Sequence, residues 1–341
     1  MFLNEKKIIK LFLHWLNLSL ALIFLIIIIG GLTRLTNSGL SITEWELFEG
    51  ILPPLNENSW ISYFDLYKQI PQYKLLNPNM SLDEFKIIFY WEYAHRVIAR
   101  LIGIFFLVPL IYFYFSKKIE KKYLNICFFI SFLIILQGII GWYMVKSGLV
   151  SDTTVSHYRL SIHLSMAIII ISSIFWLIKN FTNQHYVSFF KFSKKNFPFQ
   201  ILIILIFAQI IIGAFVSGLD AGKIYQTWPL MGETYFPNDL FIINFNDLID
   251  FDNHSLVQFY HRNLAYVIIF YVLILSIYIY KNKIFKLYST LKILIVILVS
   301  QIFLGIFTLI GGLNIYLASL HQITGVLLVF TTFNLYYLIS K

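Results

Sequence analysis

Two short motifs place ionisable side chains inside long apolar stretches of this chain. Glu92, His95 and Arg96 lie together in the first motif, and His261 and Arg262 lie in the second. Charged and titratable residues are costly in a membrane-length segment, so their presence indicates a function. On a helix Glu92 and His95 share a face, whereas Arg96 is turned away by about 100°. An imidazole can ligate a metal ion, and a buried carboxylate can exchange a proton or stabilise a cation.

The second motif repeats the first, because the chain contains an internal duplication. The aligned segments are 92–99 with 258–265, Gln137-x-x-x-Gly141 with Gln301-x-x-x-Gly305, 161–164 with 319–322, and a loop segment ending at Trp45 with one ending at Trp228. Each half therefore contributes two histidines at matched positions. They are His95 and His163 in the first half, and His261 and His321 in the second.

The elements that position these histidines are membrane-spanning helices. A hydrophobic fraction of 59% with only 13% charged residues over 341 positions excludes an ordinary soluble domain. Windows of about 20 apolar residues, long enough to span hydrocarbon, lie at roughly 11–31, 89–115, 123–145, 159–179, 199–218, 257–280, 290–311 and 318–338. The first could be a signal peptide, but it lacks a small-x-small cleavage signature, so we expect a retained helix.

The lysines indicate how the helices are oriented. With eight alternating spans, the N-terminus and the lysine-rich links 117–122, 179–195 and 281–286 share one side, which the positive-inside rule makes the cytoplasm or matrix. The acidic loops 32–88 and 219–256 then lie outside, and both termini lie inside. The net charge of +9 follows from this arrangement, and the basic residues form no patch suited to nucleic acid.

The expected fold is all-α and polytopic, with two tandem four-helix bundles at residues 1–185 and 186–341. Because four is an even number, the bundles insert with the same orientation and are related by a pseudo-twofold axis along the membrane normal. In the first outer loop, Pro53-Pro54 and residues 56–59 are expected to break regular structure, and Ser81 to Phe85 to start a helix that leads into the second span. The aromatic residues there could form an interfacial belt or cover a flat ligand.

All four histidines fall within the first two turns of spans that run inwards, about 10 Å from the outer boundary. Two imidazoles at equal depth on neighbouring helices can hold a planar iron porphyrin, with one nitrogen on each axial face. A single histidine in a membrane helix could instead serve only to hydrogen-bond a neighbouring helix. That explanation is weaker for four histidines at matched positions. Zinc fits less well, because each pair offers only two imidazoles and the one cysteine, Cys127, lies in an apolar segment.

The two halves differ at the position one turn before the first histidine of each pair. Glu92 precedes His95, whereas Gln258 precedes His261. Since an amide can only hydrogen-bond, we expect a reactive site in the first half and a fixed cofactor in the second. The alternative is that Glu92 only pairs with Arg96 or Arg100. Arg96 and Arg262 could bind porphyrin propionates or extend to the membrane interface.

Together these motifs resemble the haem A synthase family over about residues 14–338. The segments that carry the resemblance are Gly30 to Thr36, Ser38 to Ile42, Glu92 to Arg96, Gly138 to Val145, His163 to Ser165, Tyr260 to Arg262 and His321-Gln322. Some family members have cysteine pairs in the outer loops. This chain has only Cys127, so it resembles the cysteine-lacking class of alphaproteobacteria and mitochondria.

The resemblance implies an eight-helix oxidoreductase that converts haem O to haem A for cytochrome oxidase, oxidising the C8 methyl group to a formyl group by successive hydroxylations. It implies that His95 and His163 ligate the substrate haem, that Glu92 is the catalytic carboxylate, and that His261 and His321 ligate a haem b cofactor. It further suggests haem O synthase, a farnesyltransferase, and cytochrome oxidase assembly factors as partners, and a homo-oligomer. The location expected is the bacterial cytoplasmic membrane in preference to the mitochondrial inner membrane.

Two other functions fit parts of the pattern. A dihaem b-type cytochrome that exchanges electrons laterally with quinone would use the same histidines, although a transmembrane electron carrier needs haems near both faces. A transporter would explain the internal repeat, but transporter sites lie near the midplane rather than near the outer boundary.

Overall fold

The structure is a computed structural model that describes residues 5–44, 52–150 and 152–341. These residues form helices and connecting loops, and the described part of the chain contains no β-strand beyond one isolated bridge between Met231 and Thr234. Trp45, which was matched to Trp228 in the repeat, lies outside the described residues.

Eight helices are long and apolar enough to cross a membrane, which confirms the predicted all-α, eight-span fold. They are α1 (Glu5–Leu35), α4 (Leu82–Ser116), α5 (Lys121–Gly148), α6 (His157–Thr182), α7 (Phe197–Gly218), α9 (His254–Lys281), α10 (Tyr288–Ile310) and α11 (Ile315–Ser340). Three short helices lie in the loops: α2 (Glu57–Tyr67), α3 (Pro71–Leu76) and α8 (Phe245–Leu248). The chain divides into two compact units, Met1–Ile174 and Phe175–Lys341.

In the first unit, α1 packs along α4, and α4 packs on α5. The contact between α1 and α4 is aromatic, because the Trp15 ring lies 4.8 Å from that of Phe106 and 5.3 Å from that of Phe113. The indole Nε1 of Trp15 also donates a 3.0 Å hydrogen bond to the carbonyl of Phe105. A buried polar edge is thereby satisfied, so the two helices are held in one register.

The outer loop of the first unit is more regular than predicted. The prediction that residues 56–59 break regular structure is wrong, because the Asn56 side chain accepts a hydrogen bond from the Ser59 amide and caps α2. The loop aromatics form a buried cluster with the start of α4. Its largest members are Trp60, Phe64, Tyr67, Phe85 and Phe89.

Helix α4 begins seven residues before the apolar window that predicted it, at the Ser81 cap. Ser81 and Glu84 form a reciprocal capping box, as expected from the sequence. His95 therefore lies about 20 Å along α4 at 1.5 Å per residue, whereas the other three histidines lie about 9–11 Å along their helices. The two added turns carry Phe85 and Ile88, which pack in the loop cluster.

In the second unit, α11 packs along α10 and α7, and α7 packs along α9. At the lysine-rich end, Trp176 stacks on Tyr336 with ring centres 5.4 Å apart, and its Nε1 donates a 3.0 Å hydrogen bond to the Val187 carbonyl. At the other end, residues 219–253 form a loop that contains a 3₁₀ turn at Ala221–Lys223 and α8. This loop covers the start of α9, where the second histidine motif lies.

Candidate functional site

Each of the four histidines packs against a glycine of the preceding membrane-spanning helix. The pairs are His95 with Gly30, His163 with Gly141, His261 with Gly213, and His321 with Gly305. A Cβ atom added at any of these glycines would lie 2.9 or 3.0 Å from Cε1 of the facing imidazole. The glycine is therefore required because the ring occupies the space that a side chain would fill.

Comparison of the two halves of the sequence identified only two of these four glycines. Gly141 and Gly305 were matched through the Gln-x-x-x-Gly repeat, but the places of Gly30 and Gly213 facing His95 and His261 were not predicted. Gly213 carries the same signal, since Gln209 precedes it by four residues. Gly30 does not, because Ile26 stands at that position.

Three glutamines contact the histidines from one turn before these glycines. The Gln137 amide nitrogen donates to the His163 backbone carbonyl at 3.1 Å, and that of Gln209 donates to the His261 carbonyl at 3.0 Å. The Gln301 amide nitrogen lies 3.4 Å from Nε2 of His321. Helix α1 has Ile26 in the equivalent place, and His95 has no such contact with any residue that the structure describes.

The Nδ1 atoms of the imidazoles distinguish the two units. In the second unit, Nδ1 of His321 lies 3.1 Å from the Gln301 carbonyl, to which it can donate, and Nδ1 of His261 lies 3.2 Å from the Gln209 amide. In the first unit, Nδ1 of His95 and of His163 is buried without a hydrogen-bond partner among the described residues. Metal-ligating histidines are normally oriented through the nitrogen that does not bind the metal. Among the described residues only Nδ1 of His321 has an acceptor there, because the Gln209 amide nitrogen beside His261 is itself a donor.

The spacing of the rings tests whether an iron porphyrin fits. The ring centres of His261 and His321 are 6.4 Å apart, with the ring planes at 76°. Metal–imidazole bonds of about 2.0–2.1 Å, with the ring centre about 1.1 Å behind the nitrogen, place two axial imidazoles about 6.3 Å apart, centre to centre. In the first unit, His95 and His163 lie close enough to interact electrostatically. Both pairs fit the donor set of a bis-imidazole haem.

The donor set does not fit zinc as well. Among the described residues, no group of three or more histidine, cysteine, aspartate or glutamate side chains could hold a metal ion. Cys127 is buried and not disulfide-bonded. Each candidate pair thus offers two imidazoles without a third ligand among the described residues, whereas protein zinc sites use three or four protein ligands.

Glu92 is buried and accepts four hydrogen bonds. Its Oε2 accepts from the Ser41 hydroxyl at 2.8 Å and from the Ile42 amide at 2.9 Å. Its Oε1 accepts from Nε and Nη2 of Arg96 at 3.0 and 2.7 Å. The ion pair between Glu92 and Arg96 is therefore present, as one of the sequence interpretations held. All four contacts donate to the carboxylate, which is what an ionised carboxylate requires because it can only accept.

Arg96 and Arg262 make equivalent contacts with the outer loops of their units. Nη2 of Arg96 donates to the Ile42 carbonyl at 2.9 Å, and Nη1 to the Glu44 carbonyl at 3.3 Å. Nη2 of Arg262 donates to the Tyr225 carbonyl at 2.9 Å, and Nη1 to the Thr227 carbonyl, also at 2.9 Å. In both loops the accepting residues are two apart, and the first lies three before the matched tryptophan. Each guanidinium thus ties a loop backbone to the helix that carries the first histidine of its pair.

The matched position 258 makes a different contact. Nε2 of Gln258 donates to the Tyr225 carbonyl at 3.0 Å, where Glu92 instead accepts from the Ile42 amide. The Tyr225 hydroxyl in turn donates to Asp239 at 2.5 Å, and this carboxylate holds the pKa of the hydroxyl above its ordinary value. At this matched position, therefore, a neutral amide contacts the second loop and a buried carboxylate contacts the first.

The structure thus brings Glu92, Arg96, His95 and His163 together in the first unit. In the second unit it brings together Arg262, Gln258, His261 and His321. Sequence reasoning missed the loop contacts of the arginines, because backbone carbonyls leave no pattern of side chains. It also missed Gln209 as a neighbour of His261.

Comparison with known proteins agrees with these features. A model of the cytochrome oxidase assembly protein family COX15-CtaA matches residues 13–333. The chain is 49% identical to the haem A synthase of Pelagibacter ubique strain HTCC1062 over 99% of each chain. It is 41% identical to that of Bartonella quintana strain Toulouse over 93% of this chain and 89% of the relative, and 39% identical to that of Rickettsia felis over 97% and 98%. The resemblance inferred from the motifs is confirmed, and the chain belongs to the COX15-CtaA family of cytochrome oxidase assembly proteins.

Proposed function

We infer that this protein is a haem A synthase, an oxidoreductase that converts haem O to haem A for cytochrome oxidase. It oxidises the C8 methyl group of the porphyrin to a formyl group by successive hydroxylations. The observation that carries this inference is the pair of histidine sites, each with two imidazoles seated on glycines, together with family membership. No observation on the described residues favours an electron-transfer cytochrome instead.

We propose that the first unit holds the substrate haem on His95 and His163, and that the second holds haem b on His261 and His321. The Gln301 carbonyl that can accept a hydrogen bond from Nδ1 of His321 supports this division. Outer-shell partners of ligating histidines typically change metal affinity by about 10- to 100-fold. A resident cofactor benefits from that retention, whereas a substrate must leave after each reaction. The His95 and His163 pair lacks those partners among the described residues.

Glu92 is the proposed catalytic carboxylate. Haem, when bound, supplies the iron and the oxidising chemistry. Glu92 lies one turn from His95, and its four hydrogen bonds fix the position of its charge. A fixed carboxylate beside the substrate stabilises positive charge that develops on the oxidised carbon, without reorganisation during the reaction. Arg96 orients this carboxylate and neutralises it in part, so Arg96 is a positioning residue rather than a propionate ligand.

Other assignments rest on the sequence. The lysine distribution supports a multi-pass protein of the bacterial cytoplasmic membrane with both termini in the cytoplasm. The repeat supports a substrate-binding bundle at residues 1–185 and a haem b bundle at residues 186–341, and the family supports haem O synthase and oxidase assembly factors as partners. We also propose that the protein forms a homo-oligomer.

The activity is tested by mass spectrometry of the haems extracted from the purified protein. The protein is produced in cells that make haem O but no haem A. Haem A together with haem b is the expected result. Haem b alone, with reversible reduction and no haem A, would overturn the synthase assignment in favour of a cytochrome.

The role of Glu92 is tested by Glu92→Gln. The variant keeps the size of the side chain and one accepting oxygen, but it removes the charge and replaces the other accepting oxygen by a donor. We therefore expect it to bind haem and to form no haem A. The control is Gln258→Asn, which shortens the matched amide in the second unit and should preserve haem A formation. Undiminished haem A from Glu92→Gln would refute the electrostatic role.

A further inference from the structure

The end of α5 and the start of α6 form a concave surface that the reaction described above does not use. Its lining includes Trp142, Tyr143, Lys146, Asp152 and Arg159. The guanidinium carbon of Arg159 lies 3.8 Å from the centre of the Tyr143 ring, and Nη1 donates to the Tyr143 carbonyl at 2.8 Å. Nζ of Lys146 lies 5.3 Å from the centre of the Trp142 ring. The surface thus presents two cations supported by aromatic rings.

Both cations are placed relative to the substrate histidine of α6. Arg159 precedes His163 by four residues, so it lies on the same face of the helix, one turn nearer the start. Lys146 lies five residues beyond Gly141, on which the His163 ring is seated. The cations are therefore on the side of His163 where α5 ends and α6 begins, which is the predicted outer side.

The second half of the chain has no equivalent cations. The repeat places Ile310 opposite Lys146 and Leu317 opposite Arg159. A belt of aromatic and basic residues that only anchors helices at the membrane interface would be expected in both halves. The restriction to the first half connects these cations to what that half alone binds.

We propose that Lys146 and Arg159 bind the propionate carboxylates of the incoming substrate haem. The proposal rests on the proposed function, because it assigns a recognition surface to the same substrate. Arg96 and Arg262, the propionate ligands suggested by the sequence, already bind loop carbonyls. Arg159 uses one of its five N–H donors for the Tyr143 carbonyl, and its planar fork suits a carboxylate.

Cations at the rim are useful where a ligand must be captured repeatedly. Charged groups at the edge of a site raise the association rate and make it salt-dependent. A haem that remains bound gains little from faster capture, whereas a substrate gains at every turnover. This difference explains why the second half can have Ile310 and Leu317 in the same places. The Asp152 carboxylate on the surface limits its net charge and so favours release after reaction.

The experiment compares haem O with its dimethyl ester, in which both propionates are uncharged. Binding is followed by optical titration of the purified protein carrying its resident haem. Two charge pairs at a partly exposed rim correspond to about a five- to tenfold preference for the free acid. We expect this preference in the wild type and its loss in Lys146→Gln/Arg159→Gln. The matched control is Lys223→Gln, which removes an exposed cation from the second outer loop and should keep the preference.

An unchanged preference in the double variant would overturn the proposal, as would equal weakening of both forms. Anionic phospholipid presents similar chemistry, so the titration is repeated in nanodiscs with and without phosphatidylglycerol. Suppose that haem binding by the double variant no longer depends on phosphatidylglycerol but still favours the free acid over the ester. The surface would then be assigned to lipid, and the proposal would be overturned. Haem A formation by the wild type is measured separately. Its absence would refute the synthase activity, whereas its presence with an unchanged acid preference would refute only this inference.

Discussion

The seating of each histidine on a glycine predicts that adding one methyl group will remove haem from one site at a time. The informative variants are Gly305→Ala, which faces His321, and Gly141→Ala, which faces His163. Alanine is the better helix former by about 1 kcal/mol, so helix propensity alone would stabilise both variants. A loss of haem would therefore report on the ring contact.

The size of the effect follows from the distances. At both glycines the added Cβ would lie 2.9 Å from Cε1 of the imidazole, and an ordinary carbon contact begins at 3.4 Å. The ring must therefore withdraw by at least 0.5 Å. Productive metal-site geometry tolerates displacements of about 0.5 Å. We expect haem affinity to fall by at least about tenfold at the altered site, or about 1.4 kcal/mol.

The assay measures two quantities on each purified variant: haem b retained per chain and haem A formed from haem O. Gly305→Ala should lose haem b. Gly141→Ala should keep haem b and lose haem A formation, because it displaces only His163, the proposed substrate ligand. The control is Gly138→Ala on the same helix as Gly141, where an added Cβ meets nothing within 4 Å.

Two results would contradict this reasoning. If Gly141→Ala lost haem b while Gly305→Ala retained it, the substrate and cofactor units would be exchanged. If both variants matched Gly138→Ala in both quantities, the contact between glycine and imidazole would not govern haem binding. Size-exclusion chromatography of each variant separates these outcomes from loss of the fold.

Two further predictions concern the contacts that distinguish the halves. Ile26→Gln should give His95 a neighbouring glutamine like that of the other three histidines, and so slow the release of substrate haem severalfold. The release rate is measured as transfer of haem to apomyoglobin, and an unchanged rate would contradict the role of the glutamines. Arg262→Gln should remove the hydrogen bonds to Tyr225 and Thr227 and increase proteolysis of residues 224–253, with Lys223→Gln as the control. Equal cleavage of both variants would show that the loop is held by other contacts.

The sequence predicted the parts of this protein that depend on local patterns. Apolar windows located all eight spans, and the repeat located the four histidines, because both signals are written along single helices. The capping box at Ser81 was also found, since its two residues are three apart. Side-chain type and short spacing were sufficient in each case.

What the sequence could not predict depends on contacts between distant segments. Gly30 lies on α1 and faces His95 on α4. The other three glycines follow a glutamine by four residues, but Gly30 follows Ile26. Hydropathy alone placed the start of α4 too late, and the Ser81 capping box marked it correctly, but the aromatic packing of the first turns against a loop helix was not predicted. The arginine contacts involve backbone carbonyls, which every residue carries.

The carbonyl contacts of Arg96 and Arg262 have a consequence for how the two halves could diverge after duplication. Ile42 and Glu44 share no side-chain chemistry with Tyr225 and Thr227, yet the same guanidinium atoms bind the same main-chain positions. Attachment through the main chain leaves the side chains of the loop under little constraint. Substitutions can therefore accumulate in each outer loop and adapt the first to exchange of the substrate haem and the second to retention of the cofactor haem. An insertion or deletion between the two accepting carbonyls, in contrast, would break the contact between the loop and the arginine.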